Sequence, residues 1–266
     1  MVDTKRELIK QLLSVRHFVP NYKPNPEQIV FKIRGFTVGT LQNFTCFVGL
    51  PKAGKSTFLN GLIASPHSSW GELFQMKLET PPGRPYVAYF DTESAEFDFY
   101  NNLERIKSLT KNKIIPGHLN AYAVREDEPE TIKAMIETYC EMNPLCSVLI
   151  IDGLLDLLMN FNDERESKLL VIWLKKITKQ FNILIIGVVH LGKKDNNTLG
   201  HFGSMVDRYA QSVISIERDK ENNLFLMKSK LLRASLDFDD VAIQFNGQTY
   251  VECQPPAPQP QTKKRG

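Results

Sequence analysis

The sequence has little cysteine and no cysteine pair at metal-binding spacing. Its four cysteines are Cys46, Cys140, Cys146 and Cys253, and none of them stands in a CxxC motif or at a metal-ligand spacing with histidine. This pattern argues against a disulfide framework and against a structural zinc site. We therefore expect reduced thiols and a cytoplasmic protein.

Long apolar runs are missing as well. The longest, near residues 148–159 and at 183–189, are short or interrupted by aspartate, whereas a membrane-spanning helix needs about 20 apolar residues. The first 15 residues mix charges with leucine and isoleucine and lack the apolar core of a signal peptide. The sequence predicts no membrane segment.

An excess of one charge is also lacking. The formal net charge of +3 comes from 33 basic and 30 acidic residues. So small an imbalance neither requires nor excludes nucleic acid, and only local basic clusters bear on that question. The hydrophobic content of 42% is ordinary for a globular chain, and 266 residues can bury a large core without disulfides or metals.

Short apolar segments alternate with amphipathic ones along most of the chain. This alternation predicts an α/β fold with a mostly parallel sheet covered by helices on both faces. After Ser204 strand follows strand, and Asn246-Gly247 is typical of a hairpin turn, so we expect C-terminal antiparallel strands. The predicted organisation is an amphipathic helix and linker over 1–28, one domain over 29–252 and a disordered Pro/Lys-rich tail over 253–266.

The segment Gly49–Ser56 matches the phosphate-binding pattern GxxxxGK[ST] completely. An apolar strand precedes it and a helical segment follows, so its backbone N–H groups and the helix N-terminus can surround phosphate. Lys55 is expected at the β- and γ-phosphates, and the Ser56 hydroxyl at Mg²⁺. The predicted nucleotide contacts are Gly49, Pro51, Lys52, Ala53, Gly54, Lys55, Ser56 and Thr57, with ATP and Mg²⁺ as the ligands.

A second carboxylate site follows further along the chain. Asp152 ends the apolar run Val148–Ile151, which is the form of a Walker B strand. We expect its carboxylate to contribute to the same Mg²⁺ site.

The chain lacks NKxD, DxxG and an LSGGQ-like run, which argues against a GTPase and against a transporter ATPase. Glu93 instead follows the strand Tyr86–Asp91, at a position suited to orient the water that attacks a γ-phosphate. The alternative is a helix N-terminus, with Thr92 or Ser94 as its cap and Glu93 facing the helix dipole.

The Asp91-Thr92-Glu93 segment resembles that of the RecA-like ATPases, and further motifs follow in the same order. The resemblance implies that His190, at a strand end, senses the γ-phosphate. It also implies that Lys228 and Lys230 reach a neighbouring subunit's γ-phosphate, with Arg233 as a substitute. The alternatives are a strand-end histidine and two solvated lysines.

Among these ATPases, the chain most resembles the compact RepA- and DnaB-type ring helicases of plasmids and mobile elements. This resemblance implies a hexameric motor on single-stranded DNA, with replication or mobilisation proteins as partners. Two loops would face the DNA. The contacts would come from Lys193, Lys194, Asn196, Asn197 and Phe161 or Phe202. The alternative is that these residues lie in ordinary solvent-exposed loops that do not bind DNA. Tyr100 and Arg105 compete as the adenine contact.

The alternatives to a helicase are a nucleotide-switched loader or accessory ATPase, and a recombinase-like filament protein.

Overall fold

The computed structural model of the protein describes residues 2–18, 20–68, 71–110, 118–192 and 200–256. The helices are α1 (Val2–Arg16), α2 (Lys55–Ala64), α3 (Glu96–Leu109), α4 (Pro129–Met142), α5 (Glu164–Phe181) and α6 (Gly200–Tyr209). The strands are β1 (Ile29–Ile33), β2 (Phe36–Thr40), β3 (Phe44–Gly49), β4 (Met76–Leu78), β5 (Tyr86–Asp91), β6 (Leu119–Ala123), β7 (Cys146–Asp152), β8 (Leu184–His190), β9 (Ser212–Asp219), β10 (Leu224–Leu232), β11 (Val241–Phe245) and β12 (Tyr250–Cys253). Short 3-10 helices cover Ser65–His67 and Leu154–Leu157.

The large sheet has the strand order β12-β11-β10-β9-β3-β8-β7-β5-β6. The strands from β9 to β6 in that order pair in parallel, and β10, β11 and β12 add to the edge in antiparallel fashion. The predicted fold class is therefore confirmed. The parallel arrangement brings the carboxyl ends of β3, β5, β7 and β8 to one edge, where a crevice in such sheets usually holds the ligand.

Apolar residues cover both faces of the sheet. Successive side chains of a strand point to opposite faces, and helices cover both faces here, so both sets of side chains are buried. Within β3, Phe47 packs into the core shared with α2 and α3, while Cys46 and Val48 pack into the core shared with α4, α5 and α6. Burial on both faces explains why β3, β7 and β8 consist almost entirely of apolar residues. Among the described residues all four cysteines are free thiols.

The sequence did not predict a second, small sheet in the N-terminal part of the chain. Ile29–Ile33 forms a strand, as its apolar residues indicated, and β1 pairs with β2 and β4 in a separate antiparallel sheet. The β1–β2 turn uses Arg34 and Gly35, both at positive φ, which is the geometry of a tight hairpin turn.

Helix α1 forms as predicted, but its apolar side chains are exposed, including Leu13 at 68% and Val15 at 84%. Residues 257–266, which make up most of the predicted tail, lie outside the described residues, and β12 extends through Cys253. Within the described ranges, no helix has the length and apolar character needed to cross a bilayer.

Candidate functional site

The glycines of the Gly49–Ser56 loop are required by close approaches. A Cβ at Gly49 would lie 2.4 Å from the carbonyl oxygen of Ile216, and a Cβ at Gly54 would lie 2.4 Å from Cδ1 of Phe225. Gly54 also has a φ of +98°, in the left-handed region. The loop therefore fits tightly against β9 and β10 and leads directly into α2, whose N-terminus attracts anions.

Lys55 begins α2 and is buried. Its Nζ donates to the carbonyl oxygens of Gly49 and Leu50, both at 3.0 Å, and lies 3.1 Å from Nδ1 of His190. Burial lowers the pKa of Lys55, and the charges of Asp152 and Glu93 oppose that shift. The cation is thus held at the position where the loop would receive phosphate.

His190 links Lys55 to Glu93. Its Nε2 lies 2.6 Å from Oε1 of Glu93, while its Nδ1 faces the ammonium group of Lys55. Because an ammonium group only donates, Nδ1 accepts the hydrogen bond and Nε2 donates to the carboxylate. The sequence predicted each of these residues at the phosphate site, and the fold brings all three into one hydrogen-bonded chain.

Glu93 is positioned by a turn at the end of β5. The backbone N–H groups of Glu93 and Ser94 donate to Oδ1 of Asp91, at 3.0 and 2.7 Å. The Glu93 carboxylate points to His190, and helix α3 begins after Ala95 without a side-chain cap. The capping alternative for Thr92 and Ser94 was therefore wrong.

The electrostatic setting keeps Glu93 ionised. Burial raises its pKa, but the hydrogen bond from His190 and the electrostatic effects of His190 and the Lys55 ammonium outweigh that effect, so the pKa falls below its usual value. An ionised carboxylate beside the phosphate loop can accept a hydrogen bond from water.

Asp152 ends β7 beside Asp91, its register partner on β5. The pKa of Asp152 is raised to about 8, chiefly by burial and also by the nearby charges of Glu93 and Asp91, against the opposing charge of Lys55. A raised pKa of this kind means that too little positive charge lies nearby to stabilise the ionised carboxylate. No three His, Cys, Asp or Glu side chains of the described residues group as a complete metal site. Asp152 and Ser56 therefore suit a Mg²⁺ ion that arrives with nucleotide phosphates, which is how proteins commonly hold it.

Lys228 and Lys230 lie on β10, beside the tip of the phosphate loop. Both help to line a cleft of about 710 Å³ together with Pro51 and Lys52. Lys228 pairs with Glu217 on β9 at 2.7 Å, and Lys230 contacts both carboxylate oxygens of Asp207 on α6 at 2.9 Å.

Arg233, the substitute for those lysines, is engaged elsewhere. Its guanidinium donates to the carbonyl oxygens of Asp207, Arg208 and Ala210 at the end of α6. An arginine in this position satisfies carbonyls that the helix leaves without partners.

The predicted adenine contacts lie on α3. Tyr100 is 53% exposed and its ring stacks on Phe97, while Arg105 donates to Oδ1 of Asn102. The sequence did not indicate Phe225, whose ring packs against Gly54 of the phosphate loop. The centroid of this ring lies 5.7 Å from that of the Tyr250 ring. In the sequence, Phe225 is simply an aromatic residue in a C-terminal strand, and such a residue cannot be told apart from an ordinary core residue.

Only some of the predicted DNA contacts lie among the residues that the structure describes. Lys193, Lys194, Asn196 and Asn197 lie outside the described residues. Phe161, in the loop before α5, is 38% exposed. Phe202 is fully buried in α6, so its prediction as a base-stacking residue was wrong: the ring fills the core instead.

The strand order, with the phosphate loop at the end of the central strand β3 and acidic residues ending β5 and β7, decides the fold family. The fold is RecA-like. A solved structure of a KaiC-like protein from the hyperthermophilic archaeon Pyrococcus horikoshii superposes with a TM-score of 0.59 and 13% sequence identity. The match covers 87% of this chain and all of the archaeal chain. No family model and no curated protein matches the sequence.

Proposed function

We propose that this protein is an ATPase that hydrolyses ATP at the Gly49–Ser56 loop. The main support is the series of hydrogen bonds Lys55–His190–Glu93, which joins the lysine of the phosphate loop to an ionised carboxylate through one imidazole. A protein that only bound nucleotide would need the loop and Lys55, but it would not need a carboxylate held beside them.

Each residue then has a distinct task. Lys55 binds and neutralises the phosphates, and the backbone N–H groups of the loop surround them. Glu93 orients the attacking water and accepts its hydrogen bond, while His190 holds the Glu93 carboxylate. Ser56 and Asp152 would hold Mg²⁺, which neutralises charge on the phosphates when bound.

The finer proposal is a ring-forming motor on single-stranded DNA, of helicase type. Its support is the resemblance to RepA- and DnaB-type ring helicases together with the position of Lys228 and Lys230 on an open cleft beside the phosphate loop. In an assembly these lysines would stabilise negative charge at a neighbouring copy's γ-phosphate. Phe161 and the segment 193–197 would contact DNA.

The test is ATP hydrolysis measured with and without single-stranded DNA, alongside strand separation and the mass of the assembly with nucleotide. We expect DNA to stimulate turnover and nucleotide to favour a ring. Turnover that DNA does not change, with no DNA binding at low salt, would leave an ATPase but reject the motor. DNA-stimulated turnover without unwinding would favour the loader, and helical assemblies with strand exchange would favour the recombinase.

A further inference from the structure

Two residues outside the predicted site tie together the strand ends that present Glu93 and Asp152. Thr92 is buried, directly before Glu93, and its backbone N–H donates to the carbonyl oxygen of Asp152 at 2.7 Å. Its hydroxyl accepts a hydrogen bond from the backbone N–H of Gly153 at 2.8 Å. The ends of β5 and β7 are thus joined both through the backbone and through one side chain.

The Thr92 hydroxyl has a single proton to donate. Its acceptor at 2.6 Å is Oδ2 of Asp156, whereas the carbonyl oxygens of Asp152 and Gly153 lie at 3.1 and 3.3 Å. The short distance to a carboxylate is that of a charge-assisted hydrogen bond. Asp156 belongs to the 3-10 helix Leu154–Leu157, so a continuous path runs from Gly153 N–H through Thr92 Oγ1 to Asp156.

The space around Glu93 makes its position sensitive to this linkage. A Cβ on Gly153 would lie 2.7 Å from Oε1 of Glu93, so the carboxylate packs directly against the backbone that Thr92 holds. A shift of that backbone therefore moves Glu93 relative to Lys55 and His190. Displacements of about 1 Å at such positions can change rates by about a hundredfold.

We propose that Asp156 is a positioning residue for hydrolysis, which acts through the Thr92 hydroxyl to hold Glu93 in place. The inference rests on the proposed ATPase function, in which Glu93 orients water. It adds a carboxylate that neither the Walker motifs nor the spacing of the sequence indicates.

The test is a double-mutant cycle on kcat, with nucleotide Kd measured in parallel by a fluorescent ATP analogue. We expect Asp156→Ala and Thr92→Val each to lower kcat about tenfold, with Kd within about twofold of the parent. The double variant should be about as slow as Thr92→Val alone, because that change already removes the hydrogen bond to Asp156 along with the one from Gly153. Thr92→Ser keeps the hydroxyl, and Asp156→Asn keeps an acceptor oxygen, so both should stay within about threefold of the parent.

Matched controls separate positioning from folding. Glu126→Ala removes an exposed acid from the turn after β6 and should leave kcat unchanged. Asp156 is itself exposed, so Asp156→Ala should unfold near the parent's temperature. If Thr92→Val is unstable, the comparison of kcat between Asp156→Ala and Asp156→Asn tests the inference without it.

Parent-like kcat in Asp156→Ala, multiplicative losses in the double variant, or a Thr92→Ser as slow as Thr92→Val would each overturn the inference. If Glu93→Gln is inactive while Asp156→Ala is fully active, the proposed function stands and only the positioning role falls. A parent that does not hydrolyse ATP overturns both.

Discussion

The imidazole of His190 holds the Glu93 carboxylate, with 2.6 Å between Nε2 and Oε1. The other ring nitrogen faces the Lys55 ammonium at 3.1 Å, so one side chain contacts both the lysine of the phosphate loop and the carboxylate that we propose acts in hydrolysis. Bound phosphate would compete for the Lys55 ammonium and would thereby change the partner of His190 Nδ1. In the proposed function, His190 would couple the phosphate loop to the end of β8, after which the predicted DNA-binding segment begins.

A shared active site predicts that two inactive variants restore each other. Lys55→Ala loses the phosphate-binding cation and should be inactive with weakened nucleotide affinity, whereas Lys230→Ala keeps its own loop but lacks the lysine offered to a neighbour. Equal mixing should recover part of the parent's turnover, because some interfaces then combine an intact loop with an intact lysine. The measurement is phosphate release against mixing ratio.

Lys220→Ala, which changes an exposed cation lining the same cleft, is the matched control and should not lower turnover. If the mixture is no faster than the average of its components, the lysines act within their own chain or not at all.

Asp152 predicts an unusual dependence of stability on pH. Its pKa of about 8 in the folded protein lies above the ordinary value of about 3.9 for an unfolded aspartate. The folded state therefore binds more protons than the unfolded state between these values, and this contribution to stability is full below about pH 4 and disappears as pH rises to about 8. Melting temperatures of the nucleotide-free protein should show this decline.

Asp152→Asn should lack that component and melt above the parent at pH 8, by about 2–4 °C for each kcal/mol of relieved repulsion. Its Mg²⁺-dependent nucleotide binding should be weakened. Equal melting temperatures of both proteins from pH 5 to pH 8 would contradict the assigned environment of Asp152.

Gly153→Ala tests how closely the backbone confines Glu93. The added methyl group would lie 2.7 Å from Glu93 Oε1, so the carboxylate must move. We expect kcat to fall about tenfold or more while nucleotide affinity is kept. Ser94→Ala, beside Glu93, is the control and should turn over normally, since its hydroxyl does not cap α3. Unchanged kcat in Gly153→Ala would mean that Glu93 tolerates the displacement.

Motifs with strict backbone demands could be read from the sequence. Close contacts require glycine at positions 49 and 54, so the phosphate loop could be identified from the sequence alone. Asp152 could be identified as well, because it ends an apolar run. The small sheet was not predicted, because Arg34-Gly35 is not one of the Asn-Gly or Asp-Gly pairs that mark a tight hairpin turn, although both residues adopt positive φ there.

Contacts between distant segments could not be predicted. The Asp207 and Glu217 partners of the β10 lysines depend on α6 and β9 coming beside that strand. The Thr92–Asp156 hydrogen bond likewise joins residues 64 positions apart, and no local pattern relates them.

Glu93→Gln tests whether Glu93 makes this loop a hydrolytic site. The amide keeps the size of the side chain but cannot act as a carboxylate toward water. Under single-turnover conditions with excess protein, we expect ATP binding within about twofold of the parent and phosphate release slower by about a hundredfold or more. Phosphate release at the parent's rate, with ATP bound equally well, would mean that Glu93 has no role in hydrolysis.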